Sequence, residues 1–145
     1  MNNHTVKKEV KIKGTPYQVW EALVNPQLTK QYFFNCEVIS DWKPGSDITF
    51  IRKFLWMKYE LKGTVVDIHP GKLLKYTLKN TGKEGSQSES IVTDTITFAN
   101  GMTKLTIEDN VGNTEGAEKR FNKSEKGWDK VLGGLKELIE NKNMF

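Results

Sequence analysis

The sequence predicts an α+β fold: a curved antiparallel β-sheet of about six to seven strands wrapped around a long C-terminal α-helix, with two short helices after the first strand. Three observations carry this expectation. Between residues 38 and 107, short apolar/polar alternating runs are broken by Gly, Pro and Asn, the period-two mark of strands covered on one face. Trp128, Val131, Leu132, Leu135, Leu138 and Ile139 recur at helical spacing and form a stripe roughly 120° wide. After the first alternating run, Thr15-Pro16 opens a helix: threonine is a favoured cap and proline needs no N–H at the first helical position.

Taken in order, Val6, Val10 and Ile12 share one face of a first strand, with Lys7, Glu9, Lys11 and Lys13 on the other. Gly14 ends it. Val19/Leu23 and Trp20/Val24 are i, i+4 pairs on one helix face, which Asn25-Pro26 interrupts. A second short helix is expected over residues 27–32, followed by Phe33-Phe34. Strands follow at Val38-Ile39, at Ile48-Phe50-Arg52, and at Met57-Tyr59-Leu61, with Gly63 as a candidate bulge before Val65. His69-Pro70-Gly71 is a turn, and Leu74, Tyr76 and Leu78 form the inner face of the next strand. Residues 80–90 are polar and Gly/Ser-rich and read as a long loop. Val92, Asp94, Ile96 and Phe98 share a face, Asn100-Gly101 is a strong hairpin signal because both residues tolerate positive φ, and Thr103, Leu105 and Ile107 return. The last helix begins near Thr114 or restarts at Ser124, and Gly133-Gly134 falls off its apolar stripe.

The 145 residues suit one domain, residues 1–145. A chain of this size buries about 70% of the surface it exposes when unfolded, so it folds without a metal or disulfide. The lone Cys36 cannot form an internal disulfide and reads as structural. The net charge is +4, but lysines alternate with acids, as in Lys58-Tyr59-Glu60-Leu61-Lys62, and no basic run is interleaved with aromatics. That pattern is a mixed solvated surface and argues against nucleic acid. No stretch approaches the roughly 18 apolar residues of a membrane span, so no membrane insertion is expected. Met1-Asn2-Asn3-His4 lacks the apolar stretch of a signal peptide. The expected location is the cytoplasm.

Five motifs stand in order along nearly the whole chain: Thr15-Pro16-Tyr17-Gln18-Val19-Trp20-Glu21-Ala22-Leu23, the cluster Tyr32-Phe33-Phe34, Gly63-Thr64-Val65, Asn100-Gly101-Met102-Thr103-Lys104-Leu105-Thr106, and Gly127-Trp128 followed by Leu132 and Leu135. In these the chain resembles the START-like (SRPBCC) superfamily and, within it, bacterial homologues of the C-terminal domain of the heat-shock-protein-90 ATPase activator. The resemblance implies a helix-grip fold with an apolar cavity between sheet and C-terminal helix. In the wider superfamily such cavities hold lipids, sterols, flavonoids or polyketide intermediates. It does not imply chaperone activation, because fold does not fix function.

Catalytic parts are few. His4 lies near the N-terminus and His69 in a turn, no His/Cys/Asp/Glu set has metal-ligand spacing, and no phosphate-loop, dinucleotide or nucleophile-elbow motif occurs. No cofactor is expected. The candidate cavity residues are Trp20, Phe34, Phe50, Arg52, Tyr59, Tyr76, Asp94, Phe98, Trp128 and Leu132; the aromatics either line a cavity or fill it. Arg52, Asp94 and Asp109 share parity with apolar neighbours and either point inward or lie at the sheet ends, where Arg52 pairs with Asp94 or orients a ligand. Phe54, Leu55, Trp56 and Met57 form an apolar run where a polar turn is expected. They cover a pocket entrance, contact a second copy or a chaperone partner, or belong to strands that run on through this point. The leading expectation is non-catalytic binding of a small hydrophobic or amphipathic ligand, such as a lipid, flavonoid or polyketide-like molecule. The alternatives are an interaction module with a filled core and an enzyme of the cyclase or hydrolase type.

Overall fold

The computed structural model describes residues 4–79 and 89–141. Its elements run β1 (Thr5–Ile12), α1 (Pro16–Val24), α2 (Pro26–Tyr32), β2 (Glu37–Ser40), β3 (Asp47–Phe54), β4 (Met57–His69), β5 (Leu73–Lys79), β6 (Glu89–Ala99), β7 (Met102–Asn110) and α3 (Ala117–Asn141). Seven strands form one antiparallel sheet in the order β1-β7-β6-β5-β4-β3-β2. Strands β2 to β7 therefore form a meander. β1 closes beside β7, and α1 and α2 carry the chain across to the opposite edge. The 25-residue α3 is about 38 Å long at ~1.5 Å per residue and lays its apolar stripe on the concave face. The α+β helix-grip architecture expected from the sequence is present.

Local chemistry sets the boundaries. Thr15 caps α1 in a reciprocal box: its hydroxyl accepts the Gln18 N–H at 3.1 Å, and the Gln18 side chain accepts the Thr15 N–H at 3.0 Å. Asn25 ends α1 and caps α2, accepting the Gln27 N–H at 2.9 Å. Between β7 and α3, Gly112 and Gly116 adopt positive φ, and Arg120 braces the connection by donating to the Val111 and Glu115 carbonyls and to Thr114 Oγ1. The core brings Val6, Ile12, Val19, Ile48, Val65, Leu105, Ile107 and Leu135 together with almost no exposure. Burying each such side chain contributes about 1.5–3 kcal/mol.

Several expectations need correction. Gly63 is not a bulge; the register shift lies between Val65 and Asp67. Gly63 is there because a Cβ would stand 1.6 Å from the Thr77 carbonyl oxygen. The final helix is continuous from Ala117. Gly133 faces open space, but a Cβ on Gly134 would lie 3.1 Å from Tyr32 Cβ, so Gly134 marks the contact between α3 and α2 rather than a free face. The strands do not run on through Phe54, Leu55, Trp56 and Met57: Phe54 pairs with Met57, and Leu55-Trp56 is a two-residue turn. The loop expected over residues 80–90 lies largely outside the described residues, and Glu89 and Ser90 belong to β6.

Candidate functional site

Among the described residues, two spaces adjoin the buried face of α3. The inner one, under the middle of the helix, is nearly filled. Phe50, Tyr76, Asp94, Trp128 and Leu132 surround it, together with Tyr32 and Phe33, and about 20 Å³ remains. That is room for a single water molecule. The aromatics pack as a chain: the Phe33 ring lies 5.2 Å from Phe50 and 5.6 Å, edge-on, from Trp128, and Phe50 lies 5.8 Å from Tyr76. Such offset and edge contacts suit ring quadrupoles.

The outer space is an open cleft of about 410 Å³ at the N-terminal half of α3. Phe33, Phe34, Leu61, Leu78, Val92 and Trp128 give it apolar walls, Asp109 and Ser124 supply polar groups, and the exposed Lys79 and Lys123 border it. Phe33, Trp128 and Val131 face both spaces and separate them.

Asp109 is buried on β7. Its Oδ2 accepts from Ser124 Oγ at 2.6 Å and from the Trp128 indole N–H at 2.8 Å. Its Oδ1 is buried and makes no hydrogen bond. Asp94, on β6, is also buried with an unbonded Oδ1. Burial first, and then the Asp109 charge, push its carboxyl pKa up to about 8, so it is largely a neutral acid at neutral pH. The neighbouring Tyr76 hydroxyl is raised for the same reasons, burial first and then Asp94. Tyr32 is spoken for: its hydroxyl donates to the Ala22 carbonyl at 2.6 Å. The Cys36 thiol is raised mainly by burial, against a smaller lowering by Arg52.

Of the ten residues singled out from the sequence, Phe50, Tyr76, Asp94, Trp128 and Leu132 meet at the inner space, and Phe34 and Trp128 at the cleft. Trp20 is buried in the core, lining neither. Phe98 is exposed near the far end of β6. Arg52 and Tyr59 are exposed on the β3–β4 hairpin, with the guanidinium carbon 5.0 Å from the Tyr59 ring centre. Arg52 keeps the parity of Phe50, but the hairpin runs past the edge of the helical cover. The Arg52–Asp94 pair, one of the alternatives the sequence left open, is therefore not formed. Phe33, Leu61, Leu78 and Ser124 line the cleft but were not among the cavity residues singled out from the sequence, although Leu78 was placed on an inner strand face. Phe33 carried a signal, since it sits inside the Tyr32-Phe33-Phe34 cluster. Ser124 carried one too, lying on the backward extension of the α3 stripe. Among the described residues no group of three or more His, Cys, Asp or Glu side chains is placed to hold a metal.

A sheet gripping one long helix, with a cleft opening beside that helix, defines a START-like helix-grip protein. The chain belongs to the family described as activator of Hsp90 ATPase homolog 1-like protein, which matches residues 13–140. Among solved structures it is similar to a protein from Cytophaga hutchinsonii, at 31% identity, TM-score 0.76 and 98% coverage of each chain. It shares its fold with a Mesorhizobium loti protein, at 23% identity and TM-score 0.81, covering 97% of this chain and 99% of that one. The Aha1 dimer of Colwellia psychrerythraea has the same fold, at 16% identity and TM-score 0.75, covering 96% of this chain and 98% of that one. No curated protein sequence matches.

Proposed function

We propose that this protein binds a small amphipathic ligand, without catalysis, in the cleft beside the N-terminal half of α3. One observation carries the reading: a cleft of about 410 Å³ with apolar walls is lined in part by Asp109, a residue whose Oδ1 is buried and lacks a hydrogen-bond partner. Pockets for small organic ligands run from about 300 to 1,000 Å³ and combine apolar walls with a few fixed polar groups. An unpaired buried acceptor favours a ligand that brings a donor, such as a hydroxyl or phenol, because the carboxylate oxygen otherwise stays unsatisfied. Lys79 and Lys123, which also line the cleft, suit an acidic group on the ligand. Family membership agrees with a binding module of this kind.

The test is a titration of labelled protein, in solution without lipid vesicles, against a panel of flavonoids and hydroxylated fatty acids. Amide signals around Phe34, Asp109 and Trp128 are expected to shift, with Asp109→Asn weakening hydroxylated ligands more than their deoxy analogues. A panel that moves none of these signals, or an Asp109→Asn variant that treats both classes alike, defeats the proposal.

A further inference from the structure

We infer that the tip of the β3–β4 hairpin docks into the surface of an anionic lipid bilayer. The tip is the most exposed apolar feature among the described residues: Phe54, Leu55, Trp56 and Met57 are 63%, 75%, 87% and 46% exposed. It is also built against local preference. Leu55 turns the chain at φ 58°, where the β6–β7 hairpin uses Asn100 and Gly101. A leucine there costs backbone energy that asparagine or glycine largely avoids, so an apolar side chain is held at the apex despite its conformational penalty.

The charges behind the apex select the partner. Moving back from the turn, the apolar pair Phe54/Met57 is followed by Lys53 opposite Lys58, and then by Arg52 opposite Tyr59. Two lysines directly opposite each other repel. Among the described residues the nearby carboxylates are Glu60, 3.3 Å from Lys58, and Glu37, which also pairs with Ile51, leaving three cations against two anions. At ~3.3 Å per residue the cations lie about 3–7 Å behind the apolar tip. The headgroup layer on each side of a bilayer is about 5–8 Å deep. Apolar side chains at the acyl boundary therefore place the cations level with lipid phosphates, the arrangement that favours interfacial binding to anionic membranes.

The shape agrees. β2 pairs with β3 only as far as Ile51, which faces Glu60 on β4, so the hairpin projects past β2 over Arg52 to Phe54 and Met57 to Tyr59, about 10 Å at ~3.3 Å per residue. A fluid lipid surface accepts such a narrow convex tip without a matching socket. A second copy brings the same ring of cations against this one, which opposes tip-to-tip dimerisation. Met57, Tyr59 and Leu61 also share one face, and Leu61 lines the cleft. The cleft lies at the same end of the sheet, where β5 ends at Lys79 and β7 at Asn110. A docked tip therefore turns the cleft toward the bilayer.

The experiment is flotation of the full chain with vesicles of phosphatidylcholine alone and of phosphatidylcholine mixed with phosphatidylglycerol, combined with quenching of tryptophan emission by brominated lipid. The expected result is binding to the mixed vesicles that is weakened by added salt, with quenching abolished in Trp56→Phe. Leu55→Ser/Trp56→Ser and, separately, Lys53→Glu/Lys58→Glu are each expected to lower partitioning at least about tenfold. All four positions are exposed, so circular dichroism should stay unchanged. No binding to the mixed vesicles overturns the inference, as does binding that either double variant leaves intact. A concentration-dependent dimer, or a complex with an acidic protein, that is lost in Leu55→Ser/Trp56→Ser without vesicle binding assigns the tip to that partner instead. Ligand binding in the cleft is measured without vesicles, so either conclusion can fail alone.

Discussion

Asp94 sits where a carboxylate is costly. It is buried, its Oδ1 is unbonded, and its pKa is raised to about 8, by burial first and then by Asp109. Below about pH 4, both the folded and unfolded chains hold this proton. Between there and about pH 8 the unfolded chain releases it while the folded chain keeps it, so stability falls as pH rises; above that window the loss is complete. The total is on the order of several kcal/mol. Asp94→Asn is expected to flatten this slope and to stabilise the fold more at about pH 8 than at about pH 5, as read by urea unfolding. Equal slopes for the two proteins would mean that Asp94 is already ionised in the folded state. The parity of Asp94 and Asp109 with their apolar neighbours made their inward direction legible in the sequence. The same parity misdirected Arg52, because alternation tells which face a residue is on but not where the covering helix stops.

Element by element, periodicity was enough to locate the helices and strands, and turn chemistry located Asn100-Gly101. It failed where the reason for a residue lies across the fold. Gly63 is explained by the Thr77 carbonyl and Gly134 by Tyr32, contacts between segments distant in sequence. The two neighbouring glycines of α3 separate these causes. Gly133→Ala meets no atom within 4 Å and should stabilise the protein by up to about 1 kcal/mol through helix propensity alone. Gly134→Ala gains the same propensity but presses on Tyr32 Cβ at 3.1 Å, so its thermal midpoint should fall below that of Gly133→Ala. Equal gains would show that α2 yields freely and that the contact does not fix the helix.

On the scale of the whole molecule, Trp128 joins α2, α3 and the sheet through its edge contact with Phe33 and its hydrogen bond to Asp109. Trp128→Ala should cost about 3–5 kcal/mol, measured by chemical denaturation, because it leaves a cavity and removes one of the two donors to a buried carboxylate. A loss below about 1 kcal/mol would mean that this ring does not anchor the helix. The fold was readable because nearly every strand repeats the same alternation. The cleft was not, since it depends on how far α3 and the strand ends stand apart. The grip also guards one margin of the sheet. β1 is an edge strand, and α3 reaches around to it: Lys136 Nζ donates to the Lys11 carbonyl at 2.6 Å, Glu140 Oε2 accepts the Lys13 N–H at 2.7 Å, and Lys8 pairs with Asp129 at 3.1 Å. Backbone groups along an open edge are templates for another chain. The helix that closes the cleft on one side thus also withholds a seam along which copies could polymerise.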